Sequence, residues 1–282
     1  MNNILTAIKA IVEKPVMEVT GKSNNLIQNR ANQMGAALED YIRYAFANCF
    51  GHDVRSANEI CEKVFSYKGN NTNPPDLMLR GGDAIEIKKL ESERNTQIQL
   101  NSSYPKNKLY KDNPKLCSTC RDCEVWDAKD MLYVVGVCNN DKLQSLFFVY
   151  GDLYCDSKEI YEKVENIVKD GLRNIEDVEF AETKELARVN NIDHLGITDL
   201  RVRGMWLIKS PYHLFDYLTA EISKYNFKLV ALIPEGKYNS FDNVEEFEVF
   251  CKANNVGISD EKIKNPQNPV KLIKSKLITY YR

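Results

Sequence analysis

Two apolar runs lie almost back to back, at residues 130–138 (DMLYVVGVC) and 145–150 (SLFFVY), joined by the turn-forming CNNDK. They are rich in Val, Tyr and Phe and lack the strict alternation of a strand that keeps one face in water. Both therefore read as central strands buried on both faces, which requires other elements to cover the sheet above and below. A third such run, FKLVALI at 227–233, adds another buried strand.

Helical patterns supply the cover. Residues 4–12 place Ile4, Leu5, Ile8, Ile11 and Val12 at helical spacing, and Pro15 closes that helix. Residues 31–50 carry Leu38, Ile42, Ala45, Phe46 and Cys49 as an apolar stripe, with Glu39 at its margin. An acidic amphipathic helix is expected at 158–170, ending at Gly171, another opening at Pro211, and a third over 239–254. The fold class expected is α/β (α+β), a central mixed β-sheet flanked by helices.

No internal repeat, low-complexity tract or linker divides the 282 residues, so one domain spanning 1–282 with peripheral elaborations is expected. No signal peptide or membrane span is visible. Together with eight cysteines, this points to reduced thiols in a cytoplasmic protein. The net charge of −2 offers no global positive field for nucleic acid, so such a partner must be met by local basic clusters. The clearest is the basic C-terminal segment, 262–282, where Lys262, Lys264, Lys271, Lys274, Lys276 and Arg282 face no acid in sequence.

The stretch that most plainly carries chemistry is 73–89, NPPDLMLRGGDAIEIKK. Pro75 cannot donate to a sheet, so the strand here is expected to begin at or after Asp76. Side chains two apart on a strand share a face, so Glu86 and Lys88 project together while Ile85 and Ile87 enter a core. A plain Gly-Gly turn would set Asp76 opposite Ile87, on the wrong face. A three-residue loop such as Gly81–Asp83 would instead set Asp76 opposite Lys88 and Met78 opposite Glu86. With that loop or a bulge, two carboxylates and an ammonium converge. A divalent cation with oxygen ligands is the usual compensator for paired carboxylates. Glu39 reads either as an acid reaching inward or as one more solvated helical acid.

Three further clusters stand out. Gln97, Gln99 and Asn101 alternate with Ile98 and Leu100, and the polar set continues through Ser102, Ser103, Lys106 and Lys108. These types suit phosphate and base-edge contacts, or a solvated edge strand. Arg201 and Arg203 leave one face of a short strand, suited to guanine edges or phosphates, or to salt bridges with the acidic helix. Cys117, Cys120 and Cys123 have the spacing for three corners of a structural Zn2+ site, with no fourth ligand near in sequence. The alternative is free thiols.

The order of an acid-bearing helix, then Pro75-Asp76, then Glu86-x-Lys88 resembles the active site of the PD-(D/E)XK nuclease superfamily. The stretches GNNTNPPDLMLRGGDAIEIKK, LNSSYPKNKL, CRDCEVW, VVGV, VYG, FAETKELARVN, TDLRVRGMW and NSFDN are, in addition, similar to the NgoPII family of type II restriction endonucleases. This likeness runs from the first helix to the region of residue 250. It implies a restriction-endonuclease-like core and Mg2+-dependent cleavage of double-stranded DNA at GGCC. On that pattern Asp76 and Glu86 would hold the metal, Lys88 would position the water, Glu39 would assist, and Arg201 and Arg203 would read bases. A symmetric DNA site is read most simply by a homodimer. Two other readings share parts of this evidence: a structure-specific repair or recombination nuclease of the same superfamily, and a non-catalytic zinc-stabilised DNA-binding module built on the cysteines.

Overall fold

The computed structural model describes residues 1–14, 30–70, 73–101, 103–139, 142–174, 179–181, 183, 185–193, 195, 197–220 and 224–282. In chain order its elements are α1 (Ile4–Glu13), α2 (Arg30–Ala47), α3 (Val54–Val64), β1 (Phe65–Asn70), β2 (Asn73–Leu79), β3 (Ala84–Leu90), β4 (Gln97–Asn101), β5 (Lys108–Tyr110), α4 (Ser118–Arg121), β6 (Ala128–Asn139), β7 (Lys142–Tyr150), α5 (Gly151–Tyr154) and α6 (Lys158–Arg173). They continue with β8 (Glu179–Phe180), β9 (Ala187–Asn190), β10 (Leu200–Val202), β11 (Met205–Lys209), α7 (Pro211–Leu214), β12 (Lys228–Pro234), α8 (Glu235–Asn239), α9 (Val244–Ala253), β13 (Gly257–Asn265) and β14 (Asn268–Tyr281).

The main sheet has nine strands among the described residues. Its order is β1-β2-β3-β6-β7-β12-β14-β13, with β5 joining β6. It is mixed: β3 pairs parallel to β6 and β7 parallel to β12, while the other neighbours run antiparallel. The runs expected to be central strands are β6, β7 and β12. Val134, Leu146, Phe148, Leu229 and Ala231 point to one buried face, and Val135, Phe147, Val149, Val230 and Leu232 to the other. Helices α1, α2 and α9 pack the first face, and the segment around Leu100–Trp126 with α5 and α7 packs the second.

Helix α1 starts where Asn3 accepts from the N–H groups of Leu5 and Thr6, a reciprocal cap completed by Thr6. Helix α2 lies close on the sheet because β6 has a glycine beneath it: a Cβ on Gly136 would stand 2.8 Å from a Leu38 methyl. Leu38 is thereby seated over β6, and Glu39 follows it directly. Asn48, in the left-handed region at φ 49°, ends the α2 segment, so Cys49 and Phe50 fall outside the helix expected there.

Other departures from expectation have local causes. Helix α3 has only Ala57 and Cys61 buried, so its apolar stripe is thin; its signal is the Asp53 cap, which accepts from Arg55 and Ser56. Strand β2 starts at Asn73, not Asp76. It pairs with β3 only at Leu77 and Met78, so its prolines sit where that ladder has stopped. Helix α6 continues through Gly171 to Arg173. Residues 262–282 form the end of β13 and all of β14. No described helix is long and apolar enough to cross a membrane.

Candidate active site

The β2–β3 hairpin closes through a three-residue loop, Arg80-Gly81-Gly82. Leu79 N–H donates to the Asp83 carbonyl at 2.9 Å, and Gly82 N–H to the Leu79 carbonyl at 3.0 Å. The loop length is the one expected, but it sits one residue earlier. Leu77 therefore faces Ile85 and Met78 faces Ala84. Continued outward, this register sets Asp76 opposite Glu86, not opposite Lys88. The face is unchanged: Leu77, Leu79, Ile85 and Ile87 enter the core under α2, while Met78 and Ala84 lie on the other side. Asp76, Glu86 and Lys88 share the side of Met78 and Ala84.

Beyond Leu77, Pro75 has no N–H to extend the ladder. The Asp76 carboxylate takes over, accepting from Ile87 N–H at 2.6 Å. Glu86 Oε1 lies 2.6 Å from Lys88 Nζ, and both side chains are largely buried. Glu39, on α2, feels both Lys88 and Glu86 electrostatically.

Burial and the neighbouring Glu86 carboxylate push Asp76 up to about 8, against the pull of Lys88 and the Ile87 hydrogen bond. Burial also raises Glu39, with Lys88 opposing and Glu86 adding to the rise. For Lys88, burial favours the neutral amine, but Glu86 and Asp76 outweigh it and hold the group above the ordinary lysine value. Lys88 is therefore an ammonium at neutral pH. It can orient a water or stabilise developing negative charge, but it has no lone pair with which to take a proton.

Among the described residues, no group of three or more His, Cys, Asp or Glu side chains is arranged to hold a metal on its own. The donor chemistry of the pair suits a hard cation nonetheless. Two opposed carboxylates, one with its charge strongly penalised, match Mg2+, which takes one or two protein carboxylates and keeps water or phosphate oxygens for its remaining positions.

Lys106 arrives beside this cluster by a route that no sequence pattern signals. Tyr133 on β6 pairs with Glu86 on β3. Its hydroxyl accepts from Lys106 N–H at 2.7 Å and donates to the Lys106 carbonyl at 3.1 Å, pinning the backbone there. The Lys106 ammonium donates to Ser103 Oγ and to the Tyr104 carbonyl. Burial lowers its pKa to about 8, with the Glu86 carboxylate pulling the other way.

The other sequence-derived candidates fall elsewhere. Lys108 pairs with Asp130 at 2.6 Å. Asn101 ends β4, opposite Met205, and Ser102 lies outside the described residues. Arg201 and Arg203 are exposed, and both are held by Glu185, at 2.7 and 2.6 Å, rather than by the acidic helix α6. Cys117 meets the Tyr67 hydroxyl at 3.4 Å, Cys120 faces the Met78 sulfur at 3.4 Å, and Cys123 donates to the Cys120 carbonyl at 3.0 Å. Burial, with Cys123 and Cys117 next to it, pushes the Cys120 thiol up to about 12, so it is uncharged at neutral pH.

Two buried ionic networks steady the hairpin. Lys129 on β6 donates to the Leu79 and Gly82 carbonyls at 2.9 and 2.8 Å and pairs with Glu124 at 2.6 Å. Glu124 also accepts from Gly81 N–H at 2.8 Å. Asp83 accepts from Tyr150 and from Lys237, each at 2.6 Å, and Lys237 reaches Asp130 at 2.7 Å. The turn end of the hairpin is thus bolted to β6, β7 and α8.

No solved structure matches this chain. The type II restriction enzyme NgoPII of Neisseria gonorrhoeae is 47% identical over 280 residues, covering 99% of each chain. A profile of the NgoPII restriction endonuclease family matches residues 2–264, which include the whole β2–β3 hairpin and the Glu39 helix. With matches of that extent over its sheet and its acidic cluster, the chain belongs to the NgoPII restriction endonuclease family.

Proposed function

We propose that this type II restriction endonuclease hydrolyses phosphodiester bonds of double-stranded DNA at GGCC, using Mg2+ held by Asp76 and Glu86. The observation that carries the reading is the convergence of Asp76, Glu86 and Lys88 on one face of a clamped hairpin, where burial and Glu86 together penalise the Asp76 charge. The GGCC site follows from what the family resemblance implies.

When bound, the metal would acidify a coordinated water and offset the charge of the phosphodiester. The chain's own groups do the remainder. Asp76, oriented by Ile87 N–H, and Glu86 present carboxylate oxygens from opposite strands. Lys88 stays cationic, so it donates to the attacking water and to the phosphate oxygen that gains charge. Glu39 adds a carboxyl at the margin, and Lys106 supplies a second ammonium next to Glu86.

The reading assigns base or phosphate contacts to Arg201 and Arg203, with Glu185 releasing them to DNA. It assigns polar contacts to the segment from Asn101 to Lys108. A homodimer places one such site on each strand of a symmetric target. No disulfide joins any of the eight cysteines, in keeping with work in a reducing cytoplasm.

Digestion of a plasmid of known sequence, with Mg2+ and with chelator, tests the reading. Discrete fragments whose sequenced ends fall in GGCC, lost in chelator, are expected. A smear, or ends set by DNA structure rather than sequence, sinks it in favour of a repair-type nuclease. Glu86→Ala should bind DNA without cutting; a variant that still cuts removes the assigned metal carboxylate. A monomeric mass for both the free protein and its DNA complex removes the dimer.

A further inference from the structure

The basic C-terminal segment is a β-hairpin that outreaches the sheet. Strand β14 pairs with β12 only from Ser275 to Tyr281; before Ser275 it pairs with β13 alone. One side of this outer portion is anchored, since Ile263 is buried and Ile273 packs against the same core. The other side carries Lys262, Lys264, Leu272 and Lys274, all exposed. Successive lysines on β13 stand about 7 Å apart, two residues of strand rise.

The register makes this face electrostatically unfavourable by itself. Lys262 lies directly opposite Lys274, and like charges directly across a strand pair destabilise it. Deeper in the hairpin the same face solves the problem with an acid: Asp260, opposite Lys276, pairs with it at 2.6 Å. Farther out, residues 262–282 contain no Asp or Glu. Among the described residues, no carboxylate pairs with Lys262, Lys264 or Lys274.

We propose that this outer face, Lys262, Lys264 and Lys274, is a docking surface for the sugar-phosphate backbone of duplex DNA, separate from the catalytic hairpin at the other end of the sheet. This rests on the restriction-endonuclease reading. A row of phosphates supplies the counter-charge that the register lacks, and a ribbon with one anchored and one cationic side can track a backbone without reading bases. The competing use of such lysines is protection: β13 is the last strand of the sheet, and lysines on an edge discourage pairing with another chain.

Binding of the full-length protein to a synthetic duplex carrying one GGCC, in chelator, at about 50 to about 200 mM NaCl, separates these uses. Three phosphate contacts at about 0.9 each make the log–log salt slope of Lys262→Gln/Lys264→Gln/Lys274→Gln shallower by about 2.7 than the parent's. The triple Arg variant should keep the parental slope. Matching circular dichroism and melting curves establish that the Gln variant is folded. A folded Gln variant with the parental slope and affinity overturns the proposal. So does one that changes only the solution mass or aggregation, which would assign the lysines to contacts between copies or to edge protection. A parent protein that neither binds nor cuts duplex DNA overturns the restriction reading itself.

Discussion

Ile87 N–H donates to the Asp76 carboxylate at 2.6 Å across the β2–β3 hairpin, at the point where Pro75 ends the backbone ladder. One backbone donor does not offset the burial of this carboxylate beside Glu86, and Asp76 stays raised to about 8. Between the ordinary aspartate range and that value, the folded protein holds a proton that the unfolded chain has released, so stability falls as pH rises through the interval. In chelator, Asp76→Asn should melt above the parent at pH 8, with the gap closing toward pH 5. A gap that does not change with pH would show that Asp76 is not the titrating group.

Metal loading follows from the same group. A cation must displace the Asp76 proton, so affinity should rise with pH up to about 8. Binding near neutral pH should then release about one proton. Calorimetry of the metal alone, in buffers of different ionisation enthalpy, counts it. Binding without proton release contradicts the assignment of Asp76 as a ligand.

Tyr133, the β6 neighbour of Glu86, pins the Lys106 backbone, and the Glu86 carboxylate acts through space on the Lys106 ammonium. Lys106→Met should slow single-turnover cleavage at saturating protein by about tenfold or more. Because burial lowers this lysine to about 8, the parent should lose part of its rate above that pH, and the Met variant should lack this alkaline limb. Identical pH profiles for the two proteins would assign Lys106 a packing role only.

Lys129 ties the turn of the hairpin to β6 through two carbonyls and Glu124, with almost no solvent exposure. Lys129→Met strands a mostly buried carboxylate and two acceptors, at a cost of about 3 kcal/mol. In a chain of this size the melting temperature should drop by roughly 5 °C. Adding Glu124→Gln should recover part of the loss. Additive losses would show that the two residues act independently.

Gly69 on β1 passes so close to β2 that a Cβ would stand 2.2 Å from the Pro75 carbonyl oxygen and 2.5 Å from that of Asn73. Both obstacles are backbone, so Gly69→Ala must move the strand that carries Asp76. A loss of about 2 kcal/mol in stability and a larger fall in cleavage than in DNA binding are expected. Denaturant melts and single-turnover rates check both, and a neutral substitution would mean that β1 and β2 can separate freely.

Strand period alone places Glu86 with Lys88, and Leu77 with Leu79, because that alternation is a property of each strand by itself. Which residue Asp76 faces is not such a property. It depends on where the turn closes, and the Leu79–Asp83 hydrogen bond closes it one residue earlier than Gly81–Asp83 would. The Cys117–Cys123 spacing allows three metal corners; in the fold Cys117 meets Tyr67 and Cys120 meets Met78, both from distant chain, and Cys123 meets the Cys120 carbonyl three residues before it.

The sequence by itself determined the buried strands β6, β7 and β12, the shared face of Glu86 and Lys88, and the family likeness, all of which rest on short-range periodicity or on matched stretches. Tertiary structure alone decided that the register sets Asp76 opposite Glu86, that Tyr133 beside Glu86 pins the Lys106 backbone, that Glu185 holds both arginines, and that the lysine-rich end becomes a ribbon with Lys262 across from Lys274. The physical reason is that charges act through space on whatever packing brings within a few ångströms, and separation along the chain carries no record of that distance.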